Sequence, residues 1–566
     1  MTDRILHFAR RRLLLSAALR TLTTAAMTPL WAACAPGQPA PLTSSLQRRA
    51  GIDVHCHVFN ASDLPVSGFV RRVVLGEGEH QVVFSESGAD EGLLVSGLAD
   101  FLVRILSQGA ISARREAERL RSGERPPGGK VERRTREQAI LKDALFSLSA
   151  APMPAPPGTP EVGREFALPS PNEALLREIL SEVSLPVGAR PEEVLVTNAV
   201  AEELLVSDGK YGRSARWALM LLRSREEIVE ELDRLYGGEG GMVLFTPSLV
   251  DFSHWLDSDP ISPLEDQLVV MDLIQRRRTS GAMVHSFVAF DPWRQIVDEE
   301  ASVRPFALDL VEYAIMEAGF VGVKLYPPMG FLPAGNAGSQ LPYPKRAEDI
   351  VEFPRKLDAS LEKLFAWCEA KGVPVMAHAT NSNGANAFYG QRADPRNWIP
   401  VLRKHPQLRL NLGHFGGFDE ARGGGAPEST WEWAIGGMEG EISSPLFSDL
   451  SYLSEALARE ITPDIRPRLR SLLKRYVDLF DPNVKRLLYG SDWIMLGREK
   501  DHEHYPGIIE EFLDETGLNQ QQVQRFFMTN AIDFLGLRSG NESRGRLNAY
   551  YRSHGLDADR LRVFDY

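Results

Sequence analysis

Cysteine is scarce in this sequence. Its 566 residues contain three, Cys34, Cys56 and Cys368, an odd and scattered set that supplies neither a disulfide framework nor a cysteine-based zinc cluster. Any bound metal must therefore be held by histidine and carboxylate. Positive charge is in deficit: 64 Lys and Arg against 76 Asp and Glu leave a net charge of −12, which argues against broad nucleic-acid binding through a basic surface. Long apolar runs are missing as well. The weakly apolar stretch that ends at Trp31-Ala32-Ala33 carries Arg20 and several threonines, and is a poor membrane span. No short internal repeat stands out.

The N-terminus has the pattern of an export signal. Arg10-Arg11-Arg12 precedes Leu13-Leu14-Leu15 and a mildly apolar run that ends in small residues. A basic start, an apolar middle and a small-residue end define such a segment, and paired arginines resemble a twin-arginine signal, which exports folded proteins. Cys34 after Ala32-Ala33 resembles a lipoprotein cleavage site, with Trp31 where Leu is usual. The expectation is an export signal over 1–34, with lipid anchorage at Cys34 as an option, followed by a linker over 35–50. The mature protein is then periplasmic or lipid-anchored, and cytoplasmic if the signal reading is wrong.

Beyond the linker, Gly51-Ile52-Asp53-Val54-His55 starts a strand. Residues 61–240 are heterogeneous: a basic segment over 114–136, a Pro-rich loop over 151–157, and helical periodicity around 174–180 and 217–222. They are expected to form a mainly helical insertion, with the basic run as a solvated surface. From Gly241 short apolar runs alternate with amphipathic segments. Strands are expected at 242–246, 283–289, 320–325, 373–378, 408–414, 447–450 and 484–492, with helices at 306–318, 361–371, 398–404 and 467–480. Strand–helix alternation argues for a parallel α/β sheet, and eight such units argue for a closed (β/α)8 TIM-type barrel. The barrel is expected over 51–60 and 241–537, and 538–566 form a C-terminal extension.

One feature recurs along these strands. His55, His57, Lys324, His378, His414 and Asp492 all fall at or just past the C-terminal end of an apolar run, the end of a (β/α)8 barrel where active sites are built. In a strand, residues two apart share a face, so Asp53, His55 and His57 point the same way, with Asp53 one pleat deeper as a floor partner. Neutral imidazole is a common ligand of zinc and related metals. Together with His378 and Asp492, the pair offers three imidazoles and a carboxylate. The bland alternative, a set of unrelated structural histidines, leaves several buried polar groups at one mouth without a reason.

The set resembles the amidohydrolase superfamily, and within it the amidohydrolase-related branch of metal-dependent hydrolases and decarboxylases. The stretches that carry the resemblance are Asp53-Val54-His55-Cys56-His57, residues 319–327, Val375-Met376-Ala377-His378, Gly413-His414-Phe415-Gly416-Gly417, Gly490-Ser491-Asp492-Trp493 and residues 530–537. Residues 61–240 depart from it. The resemblance implies that His55, His57, His378 and Asp492 ligate one divalent metal, zinc first, with manganese or iron as alternatives. It further implies that His414 acts beside the bound water and that Asp492 also moves a proton. Lys324 is expected to face substrate or to support the site rather than to bridge metals. Arg294, after the third strand, is a candidate partner for an anionic substrate. His285 is expected as a satisfied core histidine, and His502 and His504 lie in a loop after the last strand.

Three functions fit. The first is a hydrolase that attacks an amide, ester or lactone-like bond of a small molecule with metal-activated water. The second is a metal-dependent decarboxylase of a small carboxylic acid, and the third a non-catalytic binding protein. Oligomeric state is not legible in the sequence.

Overall fold

The computed structural model describes residues 50–76, 88–124, 129–149, 170–183, 198–386, 388–417, 429–457 and 465–565. The export signal with Cys34, the linker up to residue 49 and the Pro-rich loop lie outside the described residues. Among these residues no helix is long and apolar enough to cross a membrane, and Cys56 and Cys368 are free, buried thiols.

The strands run in chain order as β1 (Gly51–Cys56), β2 (Met242–Pro247), β3 (Met283–Val284), β4 (Phe287–Ala289), β5 (Gly322–Leu325), β6 (Val375–Thr380), β7 (Leu410–Gly416), β8 (Leu446–Asp449) and β9 (Leu487–Leu488). Every ladder between them is parallel. They form a three-stranded sheet, β1-β2-β3, and a six-stranded sheet, β4 to β9 in sequential order. Nearly every strand residue is buried, which is why these segments read as continuous apolar runs rather than alternating ones. Helices occupy the crossovers at Ala307–Met316, Phe353–Ala370, Ile399–Lys404 and Ile465–Phe480, close to their expected places.

Two expected strands differ from the sequence reading. The strand at 283–289 is split, and the ladder passes from one sheet to the other at His285-Ser286. There the His285 amide still donates to the Phe245 carbonyl (3.1 Å) and the Ser286 carbonyl accepts from the Val321 amide (3.0 Å), and side chains add to this pairing. His285 Nδ1 donates to the Gly319 carbonyl (2.8 Å), His285 Nε2 lies 3.1 Å from the Tyr551 hydroxyl, and the Ser286 amide donates to Gln275 (2.8 Å). The strand at 484–492 contracts to Leu487–Leu488, because the next residues turn to a different neighbour. The Val54 amide donates to the Tyr489 carbonyl (3.2 Å) and the Asp492 amide to the His55 carbonyl (2.6 Å). The expected closed eight-stranded barrel is therefore not one continuous ladder.

His285 is the core histidine the sequence suggested, and it carries a pH prediction. Burial lowers its imidazole from 6.5 to about 4. The unfolded chain then binds the extra proton first, so this residue's stabilising contribution is complete above pH 6.5 and is lost as pH falls towards 4. The total loss is about 3 kcal/mol. Chemical denaturation of wild type and His285→Gln between pH 7 and 4.5 checks this. The wild type should lose more stability on acidification, and equal slopes would refute the assignment.

The described part of 61–240 contains no strand. Its helices are Gly88–Leu106, Ala113–Ser122, Lys130–Ser149, Pro171–Glu182, Asn198–Val206, Lys210–Met220 and Arg225–Tyr236. Ser170 with Glu173, and Ser224 with Glu227, form capping boxes, which satisfy the amides a helix start leaves open. These helices pack beside loops at the C-terminal ends of the strands: Arg213 donates to the Arg498 carbonyl (3.0 Å), and Gly76 backs onto Asn383. At the opposite end, Ile52, Val54, Leu244, Met376 and Leu488 share an apolar cluster with Phe534, Leu535 and Tyr551 of the C-terminal segment.

Candidate functional site

β1 delivers His55 and His57 to one place, as its period-2 alternation requires. The segment after β9 delivers Asp492, whose backbone bends there at φ 56°. Ligand atoms of His55, His57 and Asp492 all lie within 4.8 Å of one another. His57 Nε2 is 3.1 Å and His55 Nε2 3.7 Å from Asp492 Oδ1. Asp53 sits below, as expected: its carboxylate accepts from the Ser491 hydroxyl (2.6 Å), the Ser491 amide (3.1 Å) and the His55 amide (3.2 Å). Burial raises Asp53 to about 7.

The other expected residues stand around this cluster. Lys324, on β5, places Nζ 2.8 Å from His55 Nε2. Burial lowers its amine to about 8, against the pull of Asp449 and Asp492. His414 follows Gly413 on β7 with φ 69°, and its ring centroid is 4.7 Å from that of His55 and 4.4 Å from that of His378. Positive φ at two non-glycine residues of one site, His414 and Asp492, is backbone strain of the kind that gathers where function holds it. His378 lies beside the cluster rather than within the 4.8 Å group. Its Nε2 is 2.7 Å from Ser382 Oγ, the Ser382 hydroxyl is 3.2 Å from the Asn383 carbonyl, and its buried Nδ1 has no hydrogen-bond partner.

Arg294 is not where the sequence reading put it. Its guanidinium is engaged by Asp251 (3.1 Å), Glu265 and Asp298 (3.5 Å), and it does not line the cavity beside the site. His502 and His504 stay outside that cavity too, with His502 Nδ1 donating to the Glu499 carbonyl (3.0 Å). Trp493 is a buried packing residue.

The sequence reading missed Asp449, at the end of β8. Both its carboxylate oxygens lie 3.1 Å from His55 Nδ1, and it also accepts from the Asn411 amide group (2.7 Å) and the backbone amides of His414 and Ser451 (3.1 Å each). Burial opposes its charge, but His55 and the other donors outweigh burial and hold Asp449 well below the usual carboxylate range. The signal that finds it is the one used for the other residues: a carboxylate closing an apolar strand run.

These partners fix the proton positions. An ionised Asp449 requires His55 Nδ1 to be the N–H, so Nε2 carries the lone pair. The Ser248 carbonyl, 3.0 Å from His57 Nδ1, makes Nδ1 an N–H and turns Nε2 towards Asp492. His57 Nε2 faces Asp492 Oδ1 at 3.1 Å, an arrangement that calls for a cation or a proton between them. Burial also lowers His55 to about 4 and His378 and His414 below their ordinary value. Burial opposes the charge of Asp492, yet the histidines around it hold it at about 2. Neutral imidazoles with oriented lone pairs beside an ionised carboxylate form a donor set that suits a divalent metal, and the Lys324 ammonium at His55 Nε2 occupies a position where positive charge is favoured.

The motif glycines follow from the same packing. A Cβ on Gly413 would stand 2.8 Å from His55 Cε1, and one on Gly490 2.7 Å from His55 Cβ. Because Asp449 orients His55, Asp449→Asn should weaken zinc binding about 10–100-fold while the protein stays folded. Calorimetric titration with zinc checks this, and an unchanged affinity would reduce Asp449 to a purely structural role.

A cavity opens beside the cluster, with about 350 Å³ of empty space counting its part open to solvent. His57 and Lys324 stand at one side, Asp251 and Asp291 line it as well, and Phe252, Trp255, Phe290, Tyr326 and Phe331 are among its walls.

Residues 300–537 match the amidohydrolase family, and that stretch holds Lys324, His378, His414 and Asp492. The match spans 238 of the chain's 566 residues. No curated protein matches the chain in sequence. Solved structures similar to this chain include an amidohydrolase from Burkholderia multivorans (14% identity, 52% of this chain and 84% of that one, TM-score 0.32). Another is an uncharacterized TIM-barrel protein from Bordetella bronchiseptica (14% identity, 58% and 85%, TM-score 0.33). A third is a protein described as a metal-dependent hydrolase from Lactobacillus casei (11% identity, 87% and 96%, TM-score 0.35).

Proposed function

We propose that this protein is a metal-dependent hydrolase of the amidohydrolase type, acting on an amide, ester or lactone-like bond of a small molecule. The observation that carries the reading is the buried cluster of His55, His57 and Asp492, whose ligand atoms lie within 4.8 Å of one another, with His57 Nε2 facing Asp492 Oδ1 at 3.1 Å. His55, His57, Asp492 and His378, the last through its unpartnered buried Nδ1, would hold the ion. When bound, a divalent metal acidifies water and polarises a carbonyl. His414 would accept the proton of the attacking water, with Asp449 fixing its backbone and the Ser451 hydroxyl its Nδ1 (2.9 Å). That proton would then go to the leaving group by way of Asp492, which is ionised at rest and has none of its own to give. Lys324 orients the substrate carbonyl or supports His55.

The scaffold we propose is a distorted (β/α)8 barrel. Support comes from Phe534, whose ring lies 6.1 Å from Phe287 on β4 and 5.6 Å from Phe447 on β8. In a flat sheet, strands four places apart lie about 19 Å apart, so the six-stranded sheet is strongly curled. The hydrogen bonds from β1 to Tyr489 and Asp492 lie across the remaining gap.

Elemental analysis of purified protein, with turnover of an ester, amide, lactone and aromatic carboxylic acid series, tests the function. One divalent ion per chain and hydrolysis with incorporation of water are expected. Carbon dioxide release without water incorporation would replace the hydrolase with a lyase, and absence of both metal and turnover would refute the reading.

A further inference from the structure

The cavity beside His57 and Lys324 is shut. The space a water molecule can occupy within it is about 20 Å³, room for one. An ester or amide that is to reach the cluster therefore needs a wall to move, and two of the walls are loops. One holds Tyr326, Met329 and Phe331, after β5, and it is firmly fixed. The Pro328 carbonyl accepts from the Ala385 amide (3.3 Å), and the Gly330 carbonyl accepts from Arg392. The Arg392 guanidinium is buried between the rings of Tyr389 (4.0 Å) and Tyr343 (4.8 Å). The other wall holds Val250, Asp251, Phe252 and Trp255, in the span between β2 and the helix Leu264–Arg277.

That span is joined to the fold mainly at its ends. The Leu249 amide donates to the Phe287 carbonyl (3.0 Å) and the Ser262 amide to the Ser62 carbonyl (2.7 Å). Between them, among the described residues, its backbone makes a single hydrogen bond to another element, accepted by the His254 carbonyl from Arg346. Its regular structure is one turn, Ser253–Leu256, which the chain leaves through Asp257 at φ 61°. Side chains hold the rest. On the inside, Asp251 pairs with Arg294 (3.1 Å), and Asp291 accepts from the Trp255 indole N–H (2.8 Å) and pairs with His254 (3.5 Å). At the rim, Asp257 pairs with Arg346 and with Arg72 (3.3 Å). Arg346 belongs to the short helix Lys345–Glu348 and Arg72 to the helical segment Phe69–Val74, so two separate parts of the chain meet on one carboxylate. All three rim side chains are more than a third exposed, and exposed pairs are individually weak and screened by salt.

We propose that residues 250–261 are a lid over the metal-ligand cluster, latched shut at Asp257 by Arg346 and Arg72. Release of the two rim pairs lets the turn swing on its ends at Leu249 and Ser262, and carries Trp255 out of the cavity wall and away from Asp291. The opposite wall, with its buried Arg392, stays in place. The lid rests on the hydrolase reading above only for what passes it, a small ester, amide or lactone. It also gives the helical segment after β1 a part in the site, since Arg72 supplies half of the latch.

Hydrogen–deuterium exchange of the full chain, read by mass spectrometry on peptides covering 250–261 and 326–331, tests it. The reporters are the Trp255 and Leu256 amides, which donate to the Phe252 carbonyl (3.1 and 2.9 Å); a single turn swung free does not keep such bonds. Raising sodium chloride from about 0.01 M to about 1 M shortens the screening length from about 30 Å to about 3 Å. It should speed exchange of these amides about two- to fivefold, the factor that loss of an exposed pair gives. Asp257→Asn should do the same at low salt, remove most of the salt effect and leave 326–331 unchanged. Exchange at 250–261 that ignores both salt and the substitution, or a variant that quickens 326–331 equally, would overturn the lid, and the wild-type salt series decides even if the variant fails to fold. No metal enters this measurement, so zinc titration separates the two readings. Salt-dependent opening in a chain that binds no zinc keeps the lid and removes the hydrolase reading, whereas zinc binding with a rigid span removes the lid alone.

Discussion

Asp492→Asn is expected to lose zinc affinity and turnover by on the order of 10³-fold or more, beyond the 10–100-fold typical of residues that only orient a ligand. It should also leave the metal-free protein as stable as wild type, or more so. The reason is how the two side chains face each other. In wild type His57 Nε2 faces Asp492 Oδ1 at 3.1 Å with His57 Nδ1 committed to the Ser248 carbonyl. An asparagine can turn its amide donor to the lone pair of a neutral His57, while it takes away the negative charge a metal needs. A purely structural ion pair between a charged His57 and Asp492 predicts the opposite, a variant that melts earlier because a buried charge has lost its partner. Zinc titration and thermal melting in the presence of a chelator distinguish the two. Reduced apo stability with unchanged zinc affinity would sink the metal-site reading.

The second large effect lies in the joint between the helical segment and β1. Arg225 is fully buried. Its Nε donates to Asp63 (2.9 Å), Nη1 to Glu116 (2.8 Å), and Nη2 to Ser62 (3.1 Å) and to Asp63. Asp63 and Glu116 are buried as well. The network ties the turn just after β1, the helix Ala113–Ser122 and the helix Arg225–Tyr236 into one unit. Arg225→Met keeps the volume but leaves two carboxylates without their cation, and breaking a buried pair in this way costs about 3–5 kcal/mol. The variant should unfold at clearly lower denaturant than wild type, read by urea titration. A shift equivalent to less than about 1 kcal/mol, the range of exposed pairs, would show that the network is solvated in practice. Turnover per folded molecule should change little, since none of these residues lines the cavity.

The site was legible where chemistry coincided with strand ends. His55 and His57 share a strand face by simple alternation, and Asp492, His414 and Lys324 each close an apolar run. Asp449 obeys the same rule and was passed over because the motif around it, Phe447-Ser448-Asp449-Leu450, carries no histidine or glycine to draw attention. Arg294 misled for the reverse reason. Its position after the third strand suggested a substrate contact, but Asp251 and Glu265, distant in sequence, fold against it and take its charge. Asp291, three residues before it, faces the cavity instead.

By itself, then, the sequence determined the parallel strand–helix alternation, the helical character of the described part of 61–240 and the residues that gather at one mouth, because burial and strand periodicity are written locally in the order of apolar and polar residues. The tertiary structure alone decided that Asp449 faces His55 Nδ1, that the Ser248 carbonyl faces His57 Nδ1, and that Arg294 serves the fold. Those depend on partners well separated in the chain, 29 and 43 positions for Arg294, 191 for His57 and Ser248, and 394 for His55 and Asp449, and no local pattern encodes a hydrogen bond across such distances.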